Sequence, residues 1–124
     1  MPSTAFICVI DDDQSVRTAL DGLLRSHGYR VKSYVDAVGF LSSGEFETIA
    51  CLISDIQMPG MTGLQLHEQL CARGVHLPTI FITGHQGMQP RVNASATAPV
   101  AFFPKPFHCG ELLRCIESMS RHTH

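Results

Sequence analysis

The sequence predicts an α/β domain, a doubly wound sheet of five parallel strands with helices packed on its faces. Short apolar runs break off at polar or acidic residues, as strands covered on both sides do. The stretches between them repeat their apolar residues at the period of a helix. The two patterns alternate along the whole chain, as successive strand–helix–strand units would.

The first strand is Ala5-Phe6-Ile7-Cys8-Val9-Ile10, which stops at Asp11-Asp12-Asp13. From Gln14 the pattern turns helical, with Val16, Ala19, Leu20, Leu23 and Leu24 on one face. Asp13 or an adjacent residue can cap that helix, and His27-Gly28 ends it. Tyr29 to Tyr34 alternates as a short second strand, and Asp36 caps a short helix carrying Val38, Phe40 and Leu41. Ser42-Ser43-Gly44 closes that helix. The third strand spans about Ala50 to Ser54 and delivers Asp55 to its tip. Met58-Pro59-Gly60 cannot continue a strand, and a helix runs from about Gly63 through Cys71 to a stop at Gly74. Thr79-Ile80-Phe81-Ile82 is the fourth strand, ending at Thr83-Gly84. Val100-Ala101-Phe102-Phe103 is the fifth, reaching Pro104-Lys105-Pro106, and the last helix carries Leu112, Leu113, Cys115, Ile116 and Met119.

Composition narrows the function classes. At 124 residues, 44% hydrophobic and 16% charged, the chain suits one well-packed domain with neither internal repeat nor linker. A net charge of −2 gives no basic footprint, so direct nucleic-acid binding is not expected. No apolar run reaches membrane-spanning length, and Met1-Pro2-Ser3-Thr4 lacks the basic start of a signal peptide, so a cytoplasmic setting is expected. The five cysteines include no C-x-x-C pair and read as small apolar fillers or exposed thiols, not disulfides or a zinc site.

Right-handed crossovers leave few topologies for such a chain. The flavodoxin-like strand order 2-1-3-4-5 sets the first and third strands side by side at the switch point, where α/β sheets place their chemistry. Asp55 alone could simply cap a turn. In that order, however, Asp11 and Asp12 join it at one rim, and three carboxylates there repel unless something neutralises them. A hard divalent cation does so, and Mg²⁺ typically takes one or two carboxylates, a carbonyl and waters. Thr83 and Lys105 end strands on the same edge and add a hydroxyl and an ammonium. A carboxylate beside Mg²⁺ and a lysine is a good nucleophile for phosphorus, whose transfer needs positioning and charge stabilisation most.

Four motifs stand in order: Ile10-Asp11-Asp12-Asp13, the run Ser54-Asp55 to Thr62-Gly63, Ile82-Thr83-Gly84-His85, and Phe103-Pro104-Lys105-Pro106-Phe107. They are spaced by 44 residues from Asp11 to Asp55, 28 on to Thr83 and 22 on to Lys105. Together they resemble the receiver domain of bacterial two-component response regulators over almost the whole chain, and are most similar to the branch of Fix-type nitrogen-fixation regulators. The resemblance implies that Asp55 accepts a phosphoryl group from the phosphohistidine of a sensor histidine kinase. It implies Mg²⁺ held by Asp11, Asp12, Asp55 and the backbone carbonyl of Gln57. Thr83 and Lys105 would read the phosphoryl group, Phe102 would fill the aromatic switch position, and Lys105–Pro106 would be a cis peptide. It implies signalling through the face of the fourth helix, fifth strand and last helix, to an output domain or partner or by dimerisation on phosphorylation. No enzyme turnover is expected beyond self-catalysed phosphotransfer and slow dephosphorylation.

The chain departs from that pattern in two places. Between Thr83 and Lys105 the segment Gln86–Pro99 carries only Met88 and Val92 as large apolar residues, among mediocre helix formers, so the fourth helix is expected to be short or irregular. His108-Cys109-Gly110 stands where an acidic cap is expected, so the last helix should start weakly. His85 is read as a solvent-facing residue near the site. Residues 1–124 are read as one receiver domain with no output domain. Two other functions stay open: a receiver-like interaction module that has lost phosphorylation, and a Mg²⁺-dependent phosphohydrolase with an Asp nucleophile. Asp11-x-Asp13 nominally offers the phosphohydrolase's spacing, but nothing supplies its cap or substrate pocket.

Overall fold

In the computed structural model the chain is described over residues 5–84, 100–105 and 107–120. Strands β1 (Phe6–Ile10), β2 (Arg30–Tyr34), β3 (Ile49–Asp55), β4 (Thr79–Thr83) and β5 (Val100–Pro104) alternate with helices α1 (Gln14–Ser26), α2 (Ala37–Ser43), α3 (Gly63–Ala72) and α4 (Cys109–Ser120). All strand pairs are parallel, and the order across the sheet is β2-β1-β3-β4-β5. This is the expected flavodoxin-like arrangement. The expected irregular helix at Gln86–Pro99 lies outside the described residues, as do His85 and Pro106 with its cis peptide.

Successive side chains of a strand point to opposite faces, and here each face meets its own pair of helices. Ile7 and Val9 of β1 join Cys51, Ile53, Ile80 and Ile82 under Leu20 and Leu24 of α1 and Leu112, Ile116 and Met119 of α4. Cys8 and Ile10 join Leu52 under Ala37 and Phe40 of α2 and Leu66 and Leu70 of α3. The continuous apolar runs are therefore divided between two cores. Cys8 and Cys51 are among the most buried side chains, both as free thiols, and burial pushes the Cys51 thiol up to about 12. Among the described residues no helix is long and apolar enough to cross a membrane.

The helix ends follow the local sequence. Asp13 caps α1 by accepting from the Ser15 N–H at 2.8 Å, and Asp36 caps α2 by accepting from Gly39 at 2.8 Å. Thr62 and Gln65 form a reciprocal capping box at α3, with bonds of 3.0 and 3.1 Å. The α4 helix begins at Cys109, with Glu111 in its first turn. Pro104 has no N–H to give the sheet and sits at the end of the edge strand, where that costs nothing. The pairing resumes one residue later, where the Lys105 N–H donates to the Thr83 carbonyl at 2.8 Å.

The junction between β3 and α3 depends on one glycine. Beyond Asp55 the Ile56 N–H donates to Ile82 at 3.1 Å, and the Gly63 N–H then donates to the Ile56 carbonyl at 2.9 Å. This folds the start of α3 directly onto the end of β3. A Cβ at Gly63 would collide with the Asp55 carbonyl oxygen. Because that obstacle is backbone, Gly63→Ala should cost roughly 1–3 kcal/mol, the usual range for overpacking. Urea unfolding followed by circular dichroism checks it, and a midpoint equal to wild type would contradict the packing described.

Candidate phosphoacceptor and metal site

Register brings the acidic residues together. Ile10 pairs with Ser54, so Asp11 and Asp55 follow side by side at the ends of the two central strands. Asp11 and Asp55 are buried and Asp12 is exposed, yet the three offer carboxylate oxygens all within 4.8 Å of one another. Lys105 reaches across from the end of β5, its Nζ lying 3.1 Å from Asp55 Oδ2 and 3.4 Å from Asp11 Oδ2. Asp55 Oδ1 accepts from the Gln57 N–H at 3.1 Å, and Asp11 Oδ1 from the Asp13 N–H at 2.9 Å.

Thr83 is buried at the tip of β4, one residue beyond Ile82, the register partner of Asp55. Its carbonyl is the acceptor for the Lys105 N–H, so these two residues share one backbone link. Gln57 is exposed in the loop after Asp55. Phe102 is half-buried and stacks on Phe81, its register partner, with ring centroids 5.3 Å apart and an interplanar angle of 23°. Phe81 is fully buried and meets His67 of α3 edge-on at 5.7 Å.

Two residues at the rim escaped the sequence reading. The Arg17 guanidinium donates to the Asp11 carbonyl at 2.6 Å. Gly63 is required by a close approach that only the fold creates. A cation in the first turns of α1, where the helix dipole disfavours one, was the available signal for Arg17.

The electrostatics favour a cation. Burial pushes the Asp11 carboxyl above its ordinary value of 3.8; the Asp13 N–H pulls it back, the Asp55 charge raises it again and Lys105 lowers it. Burial works against the Lys105 charge, but the hydrogen bond to Asp55 and the charges of Asp11 and Asp55 outweigh it and raise its pKa. Three carboxylates against the Lys105 ammonium and the Arg17 guanidinium still leave the rim net negative, which a bound cation would offset. An all-oxygen donor set at this spacing suits a hard ion such as Mg²⁺.

The chain matches the family model of the response regulator receiver domain over residues 7–117. It belongs to that family. It is 36% identical over 118 residues to the transcriptional regulatory protein FixJ of Azorhizobium caulinodans, covering 95% of this chain and 56% of that protein. In structure it resembles the response regulator StyR, with a TM-score of 0.88 at 40% identity over 95% of this chain and 60% of that one. The crystal structure of FixJ-N gives 0.84 at 30% identity, covering 97% and 96%. The chain spans about half the length of the curated relatives it matches.

Asp11 supplies a sign test. Its folded-state pKa lies above its unfolded value, so in the metal-free protein the folded state holds the proton more tightly. Stability should therefore fall as pH rises through that window and stay low above it. Metal-free Asp11→Asn should melt above wild type near pH 7. The advantage should shrink as pH falls towards about 4. Calorimetric scans with chelator from pH 3.5 to 8 check this; a constant or reversed difference would refute it.

Proposed function

We propose that this chain is the phosphorylation-driven receiver of a two-component pathway, with Asp55 as phosphoacceptor. The single observation that carries the reading is the Asp11–Asp12–Asp55 cluster bridged by Lys105 at the carboxyl end of the sheet. One Asp55 oxygen attacks the phosphorus of a phosphohistidine on a sensor histidine kinase. The P–N bond breaks as the P–O bond forms, and the imidazole nitrogen released is protonated. Asp11, Asp12, Asp55 and the Gln57 carbonyl would hold Mg²⁺, which supplies charge neutralisation for the phosphoryl oxygens.

The chain's own residues do the rest. The Gln57 N–H and Lys105 grip opposite oxygens of Asp55 and fix the carboxylate plane before the donor arrives. Lys105, already charged and partly desolvated, then turns from the carboxylates towards the new phosphoryl oxygens. The Thr83 hydroxyl hydrogen-bonds one of those oxygens. The backbone bond from Lys105 to Thr83 makes both responses displace the ends of β4 and β5 together. Phe102, two residues before Pro104 on that strand, repacks against Phe81 and passes the change to the face of β5 and α4. An output domain or partner on that face would read it, as would a second copy on phosphorylation. The domain acts as a signalling switch in the cytoplasm, not as a turnover enzyme.

Incubation with Mg²⁺ and acetyl phosphate tests the proposal. Intact-mass measurement should show one added phosphoryl group, labile to hydroxylamine, and none on Asp55→Asn or without Mg²⁺. Steady release of phosphate from many phosphomonoesters would instead favour a phosphohydrolase. No label on the wild type, from acetyl phosphate or from a phosphorylated kinase, would leave an interaction module.

A further inference from the structure

The three acidic residues are not held alike. Asp11 is fixed through both carboxylate oxygens, by the Asp13 N–H and by Lys105. Asp55 is fixed through both of its own, by the Gln57 N–H and by Lys105. Among the described residues no hydrogen bond holds the carboxylate of Asp12, which is exposed. Its position is therefore set by the main chain on either side. On the far side Asp13 is tied twice: its N–H donates to Asp11, and its carboxylate caps α1. On the near side the peptide joining Asp11 to Asp12 is planar, so whatever holds the Asp11 carbonyl orients the whole unit. Arg17 holds it, at 2.6 Å and from six residues along the chain.

Arg17 occupies an electrostatically poor place. It is the fourth residue of α1, where the helix end carries partial positive charge, and α1 has no acidic residue in its first turn. The bond to the Asp11 carbonyl accounts for its being there. We propose that Arg17 is a positioning residue for the metal site, orienting Asp12 towards the cation through the Asp11–Asp12 peptide. This rests on the reading of the rim as a Mg²⁺ site and adds to it a residue that touches neither metal nor phosphate.

The sign of one measurement separates positioning from simple charge. A guanidinium beside an acidic cluster weakens the attraction of a divalent cation, so removing charge alone should tighten Mg²⁺ binding. Losing the orientation of Asp12 should loosen it, by about tenfold if Arg17 behaves as outer-shell partners of metal ligands commonly do. Arg17→Met keeps the aliphatic stem and a good helix former while deleting the donor. Arg17→Lys restores a charged donor on a shorter reach. Arg25→Met removes the same charge from the same helix, together with a guanidinium-to-carbonyl bond to Val31.

Titration calorimetry with MgCl₂ on the 124-residue chain, paired with the metal-free Tm of each variant, decides the matter. The expected result is about tenfold weaker Mg²⁺ binding for Arg17→Met, partial recovery for Arg17→Lys, and wild-type affinity for Arg25→Met. Unchanged or tighter binding by Arg17→Met overturns the proposal, and so does equal weakening by Arg25→Met. If Arg17→Met fails to fold, Arg17→Ala, which also deletes the donor and is the best helix former, carries the test, and unchanged or tighter Mg²⁺ binding there overturns it. Absence of Mg²⁺ binding by the wild type would instead remove the metal reading on which the proposal stands.

Discussion

Two carboxylates buried side by side, at the ends of adjacent strands, are the constraint on which the rest of this domain depends. Asp11 and Asp55 sit where β1 and β3 end because those strands pair in register, with Ile10 opposite Ser54. Burial strips these charges of water, and their mutual repulsion adds to that cost, so both must be offset from nearby. Lys105 offsets part of it, from a strand two places from β3 and three from β1. The fold brings residues 94 and 50 positions apart in sequence to a single ammonium group, and in the metal-free, unphosphorylated protein that ammonium cannot leave without exposing an uncompensated pair.

Several features that look independent serve this arrangement. Gly63 lets α3 abut the Asp55 carbonyl, so the turn after β3 can be tight and the Gln57 N–H can reach back to Asp55. Pro104 ends the ladder of β5, and the Lys105 N–H takes it up again on Thr83. The lysine therefore enters the site from a backbone that is itself hydrogen-bonded to the tip of β4. Asp13 serves α1 as a cap and Asp11 as a main-chain donor. Stability and site geometry are built here from the same bonds.

Much of the fold was legible in the sequence because the strands are covered on both faces. Continuous apolar runs such as Cys51-Leu52-Ile53 and Ile80-Phe81-Ile82 have no amphipathic ambiguity, and each stops within a residue or two of where the strand stops. Asp36 and Gly44 bounded α2 correctly, because a capping carboxylate and a left-handed glycine act within a few residues of chain. The gathering of Asp11, Asp12, Asp55, Thr83 and Lys105 at one rim followed from strand order. What could not be read were contacts made by tertiary approach. Arg17 looks like any surface cation of a helix, and its carbonyl partner carries no side-chain signal. Gly63 looks like an ordinary helix start. His67 sits on the apolar side of α3 as a neutral ring, its pKa lowered by burial, and nothing in the sequence reveals that it lies against Phe81.

That ring contact bears on how a change at the rim could travel. Phe102, Phe81 and His67 form a continuous ladder, from the half-exposed edge strand through the sheet face to the inner side of α3. Phe81 is fully buried, and close-packed interiors do not deform smoothly, so a shift of Phe102 must either leave a gap beside Phe81 or be followed by it. On the far side His67 is itself buried, with Cys71 Sγ 4.0 Å from its Nδ1. The ladder would, on the proposed reading, favour two discrete packings of Phe102 over a graded response. On the proposed reading, Thr83 and Lys105 select between them, since their shared backbone bond sits immediately beyond the Phe81–Phe102 pair. The phosphoryl group would need to supply only the difference in free energy between two packings. The site at the rim and the aromatic ladder behind it are then parts of one bistable element, and the short span of β4 and β5 between them is what couples the two.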